Sequence, residues 1–573
     1  MARPGVSADA LAAARGDRPA DLLLVGGRVF SPGSLEWIDT NLAIADGHVV
    51  GWGDREAEET LDVDGAALVP AFIDAHMHLE STKLWIDEFV RAVLPHGTTA
   101  VAADPHELGN VFGTRALAVL AAAAEELPFT FGMCASSCVP ASPFESSGAE
   151  MGVGDVVTVL EELGGIGVAE VMNYPGVIAG DAELMEKIAA AGSRRVDGHA
   201  PGLTGTGLDA YLAAGVESDH ECSQLAEAVE KRRKGMWVFL REGSASRDLL
   251  TLLPMVLSNG PGLTAFCTDD REPNKIRRDG HINDCVRMAV AAGLDERQAL
   301  VMATANPASY HGFHHLGALG PGYQADVLVF DELATWRPTL VFQRGRMVAR
   351  NGEVVPGAVP SVAHPSWMTR SIQFAAIPTA ADLMVEPPPG GRCRVIGVKP
   401  GSLLTDHLVC DVTDPASDIN RLAVVERHHS TGRVGAGWVA NMGIGRGAIA
   451  STVAHDAHNC VVVGGRGDAD ARDMVLAVRR IAEIGGGQVV VAGGKVLAEV
   501  PLPIGGLISD RPRDEVSDQL ELANAAARSL GTTLRAPFMT MSFLALSVIP
   551  SLRLSDQGLV DVDKFELTEV CLP

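Results

Sequence analysis

Phe72-Ile73-Asp74-Ala75-His76-Met77-His78-Leu79-Glu80 is the stretch on which the fold of this chain turns. Val69, Phe72 and Ile73 lead into it, and it reads as a buried strand. Side chains along a strand alternate between faces, so His76 and His78 share one face, with Asp74 two residues earlier on the same side. Two imidazoles at the C-terminal end of a strand can hold a divalent metal ion. An isolated His-x-His is more often two polar loop residues, so the meaning of this pair depends on its surroundings.

Downstream of residue 72, short β-rich runs alternate with helical stretches such as 114–127 and 225–234, the pattern of a parallel α/β sheet. Candidate strands cover 72–78, 98–104, 129–134, 166–171, 195–199, 216–220, 237–241 and 264–269. Eight strand–helix units predict a (β/α)8 TIM-type barrel with its active site at the C-terminal strand ends. Upstream, residues 1–20 read as a loose leader or a short helix, and 21–70 as hairpins of a small β domain. Strand character returns at 322–330 and 345–354, and these strands are expected to rejoin the N-terminal ones in one split β-sandwich. Proline-rich residues 356–389 read as a connection, followed by an α+β region with strands at 394–398 and 488–491 and an amphipathic helix at 470–483. The expected division is 1–70 and 319–388 for the split β domain and connector, 71–318 for the barrel, and 389–573 for a C-terminal domain.

Composition narrows the function classes. The chain has 573 residues and a net charge of −26, which argues against a nucleic-acid or anionic-membrane surface. Nine cysteines without Cys-x-x-Cys pairs point to a reducing compartment, the cytoplasm. The leader lacks an apolar core, and no apolar run is long enough to span a membrane.

The strand ends carry a set of metal-binding side chains. His76 and His78 end the first strand, Glu170 lies on the fourth, His199 ends the fifth, His220 the sixth and Asp269 the eighth. Most of the 17 histidines lie elsewhere, so this placement is informative. One metal would use three or four of these groups; six suffice for two metals about 3.5–4 Å apart that share a bridging carboxylate. Metals lower the pKa of bound water, and Asp269 could accept the proton released and pass it on. Imidazoles and carboxylates do not select sharply among zinc, manganese and iron. At the second strand, Asp104-Pro105-His106-Glu107 adds further polar groups.

Val69-Pro-Ala-Phe-Ile-Asp-Ala-His-Met-His78, with Ala305-Asn-Pro-Ala308 and Gly322-x-x-Ala325-Asp326, resembles the amidohydrolase superfamily. Within it, His76-Met-His-Leu-Glu-Ser81, Asp104-Pro-His-Glu107, Glu170-Val-Met-Asn173, Asp197-Gly-His-Ala-Pro201, Ser218-Asp-His-Glu221 and Thr268-Asp-Asp270 resemble the bacterial adenine deaminases. Val453-Ala-His-Asp-Ala-His-Asn459 resembles that family's extra C-terminal domain, so the likeness runs from about residue 20 to the end. It implies hydrolysis of adenine to hypoxanthine and ammonia in purine salvage, with two divalent metals, manganese or iron, or else zinc. It further implies one metal on His76, His78 and Asp269, the other on His199 and His220, Glu170 as bridge, and Asp269 as proton shuttle. Glu80, Asp104, His106, Glu107 and Asp270 are candidates for substrate contact or for orienting the ligands. A homodimer or larger assembly, with adenine as the small-molecule partner, completes the expectation. Residues 163–175 contain no lysine for a carbamate bridge. The glutamate fits adenine deaminase and also an N-acetylglucosamine-6-phosphate deacetylase, which lacks a C-terminal domain of this size. A non-catalytic relative is a third reading, but such a protein should have lost ligands, and none is missing.

Other features carry less. Lys231-Arg-Arg-Lys234 reads as a solvated helix end, and His311, His314 and His315 as packing or surface groups. Arg241-Glu-Gly-Ser244 touches substrate or caps a helix. Gly432-x-Val-Gly-Ala-Gly437 lacks the βαβ context of a dinucleotide loop. His455, Asp456, His458 and Asn459 either close over the site or order the C-terminal domain.

Overall fold

In the computed structural model, which describes residues 5–369 and 371–572, Phe72–Met77 is a strand with every residue buried. Burial on both faces is what parallel sheets covered by helices require. Phe72–Met77 runs parallel to Thr98–Ala103, which runs parallel to Thr130–Met133. A parallel bridge between Ala135 and Val168 leads to Gly167–Val171, paired with Arg195–Gly198. Ser218–Asp219, Trp237–Arg241 and Thr264–Cys267 form a third parallel ribbon. The amide of Glu217 donates to the Val196 carbonyl at 2.9 Å and joins the second ribbon to the third. The amide of Asp269 donates to the His76 carbonyl at 3.0 Å and brings the eighth strand back to the first. All eight expected strands are present, most of them shorter than read.

Helices fill the connections. Thr114–Glu125 stops short of the expected 127 because Pro128 disfavours helical geometry just before it. Leu225–Arg233 corrects one expectation: the basic run at its end is not wholly solvated. Arg233 and Lys234 are exposed, but Lys231 is fully buried, its ammonium donating to Asp219, Glu227 and the Ala200 carbonyl. His311 and His315 are likewise buried.

The flanking sheet has nine strands. Val327–Phe330 lies antiparallel to Ala67–Pro70, with Val327 opposite Pro70 and Phe330 opposite Ala67. Chain entering and chain leaving the eight-strand unit thus share one sheet, as the sequence predicts. Ala8–Arg15 resolves the leader as a short helix, capped by the Ser7 hydroxyl.

After the connector comes a separate eight-stranded sheet, covered by the helix Asp468–Ile484. The expected strands appear in it as Arg392–Val398 and Gly487–Ala492. The Gly432–Gly437 run opens the strand Val434–Ala440. Gly435 is needed for close approach, since a Cβ there would stand 1.9 Å from the Ser555 carbonyl. The fold is therefore mixed α/β with a separate C-terminal sheet. Among the described residues, no helix is long and apolar enough to cross a membrane.

Candidate metal centre

The C-terminal ends of five strands deliver His76, His78, Glu170, His199, His220 and Asp269 to one place, all at most 5% exposed. The period of the first strand aims both of its imidazoles at this point, their Nε2 atoms 3.3 Å apart. Asp74, on the same face, is used differently. Its carboxylate accepts from the amides of His76 and Thr268 at 3.2 and 3.1 Å, fastening the first strand to the eighth.

Glu170 stands at the centre. Its Oε1 lies 3.0 Å from His78 Nε2 and 3.5 Å from His76 Nε2. Its Oε2 lies 2.5 Å from His199 Nδ1 and 3.4 Å from His220 Nε2. Asp269 Oδ1 joins the first pair, 3.2 Å from His78 Nε2 and 3.8 Å from His76 Nε2. One carboxylate thus faces two histidine pairs, one with each oxygen. His78 Nδ1 lies 3.0 Å from the Asp104 carbonyl, which only an N–H can satisfy, so its Nε2 lone pair points at the carboxylates.

Buried lone pairs crowded this closely require a cation. The Nε2 atoms of His199 and His220 are buried without a hydrogen-bond partner. Burial disfavours an imidazolium at His78, yet its bonds to Asp269 and Glu170 raise it well above the usual histidine range. Burial also opposes ionisation of Glu170, and the charge and hydrogen bond of His199, with the charge of His220, hold it well below the carboxylate range all the same. Without a metal, protons on histidine must supply the positive charge; with one, neutral imidazoles and ionised carboxylates form a standard nitrogen–oxygen donor set. The residues fit divalent cations.

The candidate contact residues form the next circle. Asp104 accepts from His106 Nδ1 at 3.0 Å and from Ser136 at 2.9 Å. His106 Nδ1 is also 3.8 Å from Glu170. The Ser81 hydroxyl donates to Asp270 and lies 3.3 Å from Glu107. Glu80 accepts from the Leu108 amide at 2.8 Å, and burial, with Glu107 nearby, pushes it up to about 8.

The structure adds two contributions, one that escaped the sequence reading and one that the sequence left open. Arg241, weighed only as a substrate contact or cap, donates to Asp269 Oδ2 at 2.9 Å, to Glu221, and to Asp248 at 2.8 Å. Its place at the end of the seventh strand was the available signal. The second is the position of 454–459, where Asp456 Oδ1 lies 3.4 Å from His106 Nε2 and His455 Nδ1 lies 3.6 Å from Glu107. Glu107, His455 and His458 are close enough to resemble another metal group. However, His458 Nδ1 accepts from the Ala454 amide at 3.1 Å, which leaves its hydrogen on Nε2 facing Glu107.

Comparison with known proteins agrees with this architecture. Residues 67–355 match the Amidohydrolase family, and residues 403–566 match the Adenine deaminase C-terminal domain. "Adenine deaminase 2" of Carboxydothermus hydrogenoformans is 41% identical over 98% of this chain and 99% of its own. An adenine deaminase of Nitratidesulfovibrio vulgaris is 43% identical over 97% of both. Among solved structures, N-acetyl-D-glucosamine-6-phosphate deacetylase from Mycobacterium smegmatis covers 57% of this chain and all of its own, at 20% identity and a TM-score of 0.42.

Proposed function

The chain belongs to the adenine deaminase family of amidohydrolases, and we propose that its hydrolysis of adenine to hypoxanthine and ammonia takes place at the cluster around Glu170. The observation that carries this assignment is the division of the Glu170 carboxylate between two histidine pairs. His76, His78 and Asp269 would hold one divalent cation and His199 and His220 the other, with Glu170 shared. When bound, such ions supply Lewis acidity and lower the pKa of water. Manganese or iron is our assignment, with zinc compatible with the same donors.

The protein's own groups manage the protons. Burial works against ionisation of Asp269, but His78 and the Arg241 guanidinium hold it well below the usual carboxylate range. It is therefore ready as a base. In the reaction, water oxygen bonds to C6 of the purine and the C6–N bond breaks. Asp269 takes a proton from the water and delivers it to the departing amine. Glu80, Asp104, His106, Glu107 and Asp270 line the approach as candidates for ring contacts. Being buried, they exclude bulk water from the reacting atoms.

We read the eight parallel strands as a closed (β/α)8 barrel over 71–318, with 1–70 and 319–388 forming the split β domain and connector and 389–573 the C-terminal domain. The parallel register and the bond from the eighth strand to the first support this. We place the enzyme in the cytoplasm, in purine salvage, as a homodimer or larger assembly that binds neither nucleic acid nor membrane. The reduced cysteines and the charge of −26 are consistent with that placement.

The test is adenine turnover by purified protein, stripped of metal and reloaded with Mn²⁺, with ultraviolet absorbance and ammonia followed together. Hypoxanthine and ammonia should appear in equal amounts. Metal uptake without adenine turnover, but with deacetylation of an N-acetyl amino sugar phosphate, would replace the reading.

A further inference from the structure

Residues 454–459 lie between the strands Ala448–Ser451 and Cys460–Gly464 of the C-terminal sheet, far in sequence from every strand that builds the metal cluster. Yet this loop meets the cluster on two sides. Asp456 Oδ1 is 3.4 Å from His106 Nε2, and the other nitrogen of that ring is 3.8 Å from Glu170. One imidazole ring therefore separates Asp456 from the central carboxylate. On the other side, His455 Nε2 is 4.0 Å from Asp270, the neighbour of Asp269.

The loop is held in place from several directions. Arg427 is fully buried and donates to the carbonyls of His458 and Gly505, the latter at 2.8 Å, and to the Ser371 hydroxyl at 3.2 Å. His428 Nε2 lies 2.6 Å from the Ala457 carbonyl, and Asn459 donates to the Ser146 carbonyl at 2.8 Å. The His455 ring stacks on Phe543, with centroids 4.5 Å apart and planes 10° from parallel. Such support orients side chains to a fraction of an ångström, as recognition requires.

What the loop presents is unsatisfied. Asp456 Oδ2 and His455 Nε2 are buried and have no hydrogen-bond partner. Leaving a buried polar atom unpaired is costly, so two such atoms on one loop beside the proposed reaction centre indicate a ligand that pairs with them. Asp456 can only accept, and an imidazole can donate or accept. A neutral purine has a complementary edge, with one ring N–H and several ring nitrogens that accept.

We propose that His455 and Asp456 form a subsite for the edge of the free base, with Asp456 accepting the ring N–H and His455 bonding a ring nitrogen. The C-terminal domain thereby completes the substrate pocket. This rests on the adenine reading above, and the experiment separates the two. Adenine turnover by the parent holoenzyme is measured first, and its absence counts against the reading alone.

Full-length Asp456→Ala, Asp456→Asn and His455→Gln are then loaded with Mn²⁺ and assayed for bound metal, kcat and KM, and for inhibition by hypoxanthine. The loss of one hydrogen bond to a charged group predicts a KM and a hypoxanthine inhibition constant raised about ten- to a hundredfold in Asp456→Ala. Metal content should match the parent, kcat should change less than KM, and Asp456→Asn should recover part of the loss. The parent should also prefer adenine to 9-methyladenine more strongly than Asp456→Ala does. If Asp456→Ala does not fold, His455→Gln carries the same KM test. KM and inhibition within about twofold of the parent, at unchanged metal content, would show that the loop only packs the domain and would overturn the proposal.

Discussion

Lys231 Nζ lies 2.8 Å from Asp219 Oδ2, and neither side chain is exposed at all. The pair braces the two strand ends that carry His199 and His220, because Asp219 precedes His220 and also accepts from the Ala200 amide at 2.9 Å, next to His199. Lys231 adds a bond to the Ala200 carbonyl at 2.7 Å.

Removing one partner of a buried pair leaves a stranded charge, at a cost of about 3–5 kcal/mol. Lys231→Met should therefore lower the thermal midpoint strongly. The double variant Lys231→Met with Asp219→Asn should recover much of the loss. A midpoint unchanged in the single variant, measured by calorimetry, would mean that the pair does not stabilise the fold.

Glu170→Gln keeps the shape of the central side chain but removes its charge. Because its two oxygens serve separate histidine pairs, both sides of the centre should suffer. Bound metal should fall below the parent value, and kcat/KM for adenine should drop at least about a hundredfold. Elemental analysis of the purified variant beside its turnover checks both at once.

Arg241 donates to Asp269 at 2.9 Å and helps to keep that carboxylate ionised. Removing a cation so close raises a carboxylate pKa by about 1–3 units. Under the proposed role of Asp269 as a base in its ionised form, Arg241→Gln should move the acid limb of the kcat/KM profile to higher pH. At neutral pH its activity should fall less than that of Asp269→Asn. An acid limb at the parent position would remove Arg241 from this role.

Glu145 is buried, accepting from Ser547 at 2.8 Å and the Ala141 amide at 3.0 Å, and burial, with Asp456 nearby, pushes it up to about 8. An unfolded glutamate titrates near about 4.3, so the folded pKa is raised. The neutral carboxyl then stabilises fully below the unfolded value, and its contribution declines as pH rises and is spent above about 8. Glu145→Gln should stay neutral throughout. The drop in thermal midpoint between pH 5 and pH 9 should be smaller in the variant than in the parent.

Local pattern determined much of this protein from sequence alone. Alternation along 72–78 places His76 and His78 on one face, and the turn-bounded apolar runs locate all eight strands. Strand ends carry chemistry because side chains there leave the packed interior, so Glu170, His199, His220 and Asp269 could be named before their distances were known. These signals span a few residues and need no knowledge of what lies across the fold.

Tertiary structure decided what depends on distant neighbours. Lys231 looks like a solvated charge until Asp219 and Glu227 are placed beside it. Asp74 shares the face of the two histidines, yet Thr268 of the eighth strand claims its carboxylate. His455 and Asp456 come to Glu107 and His106 from the other end of the chain. No periodicity encodes such meetings. They follow from which surfaces bury each other, and the low-dielectric interior then turns ordinary polar residues into paired, strained or unsatisfied groups.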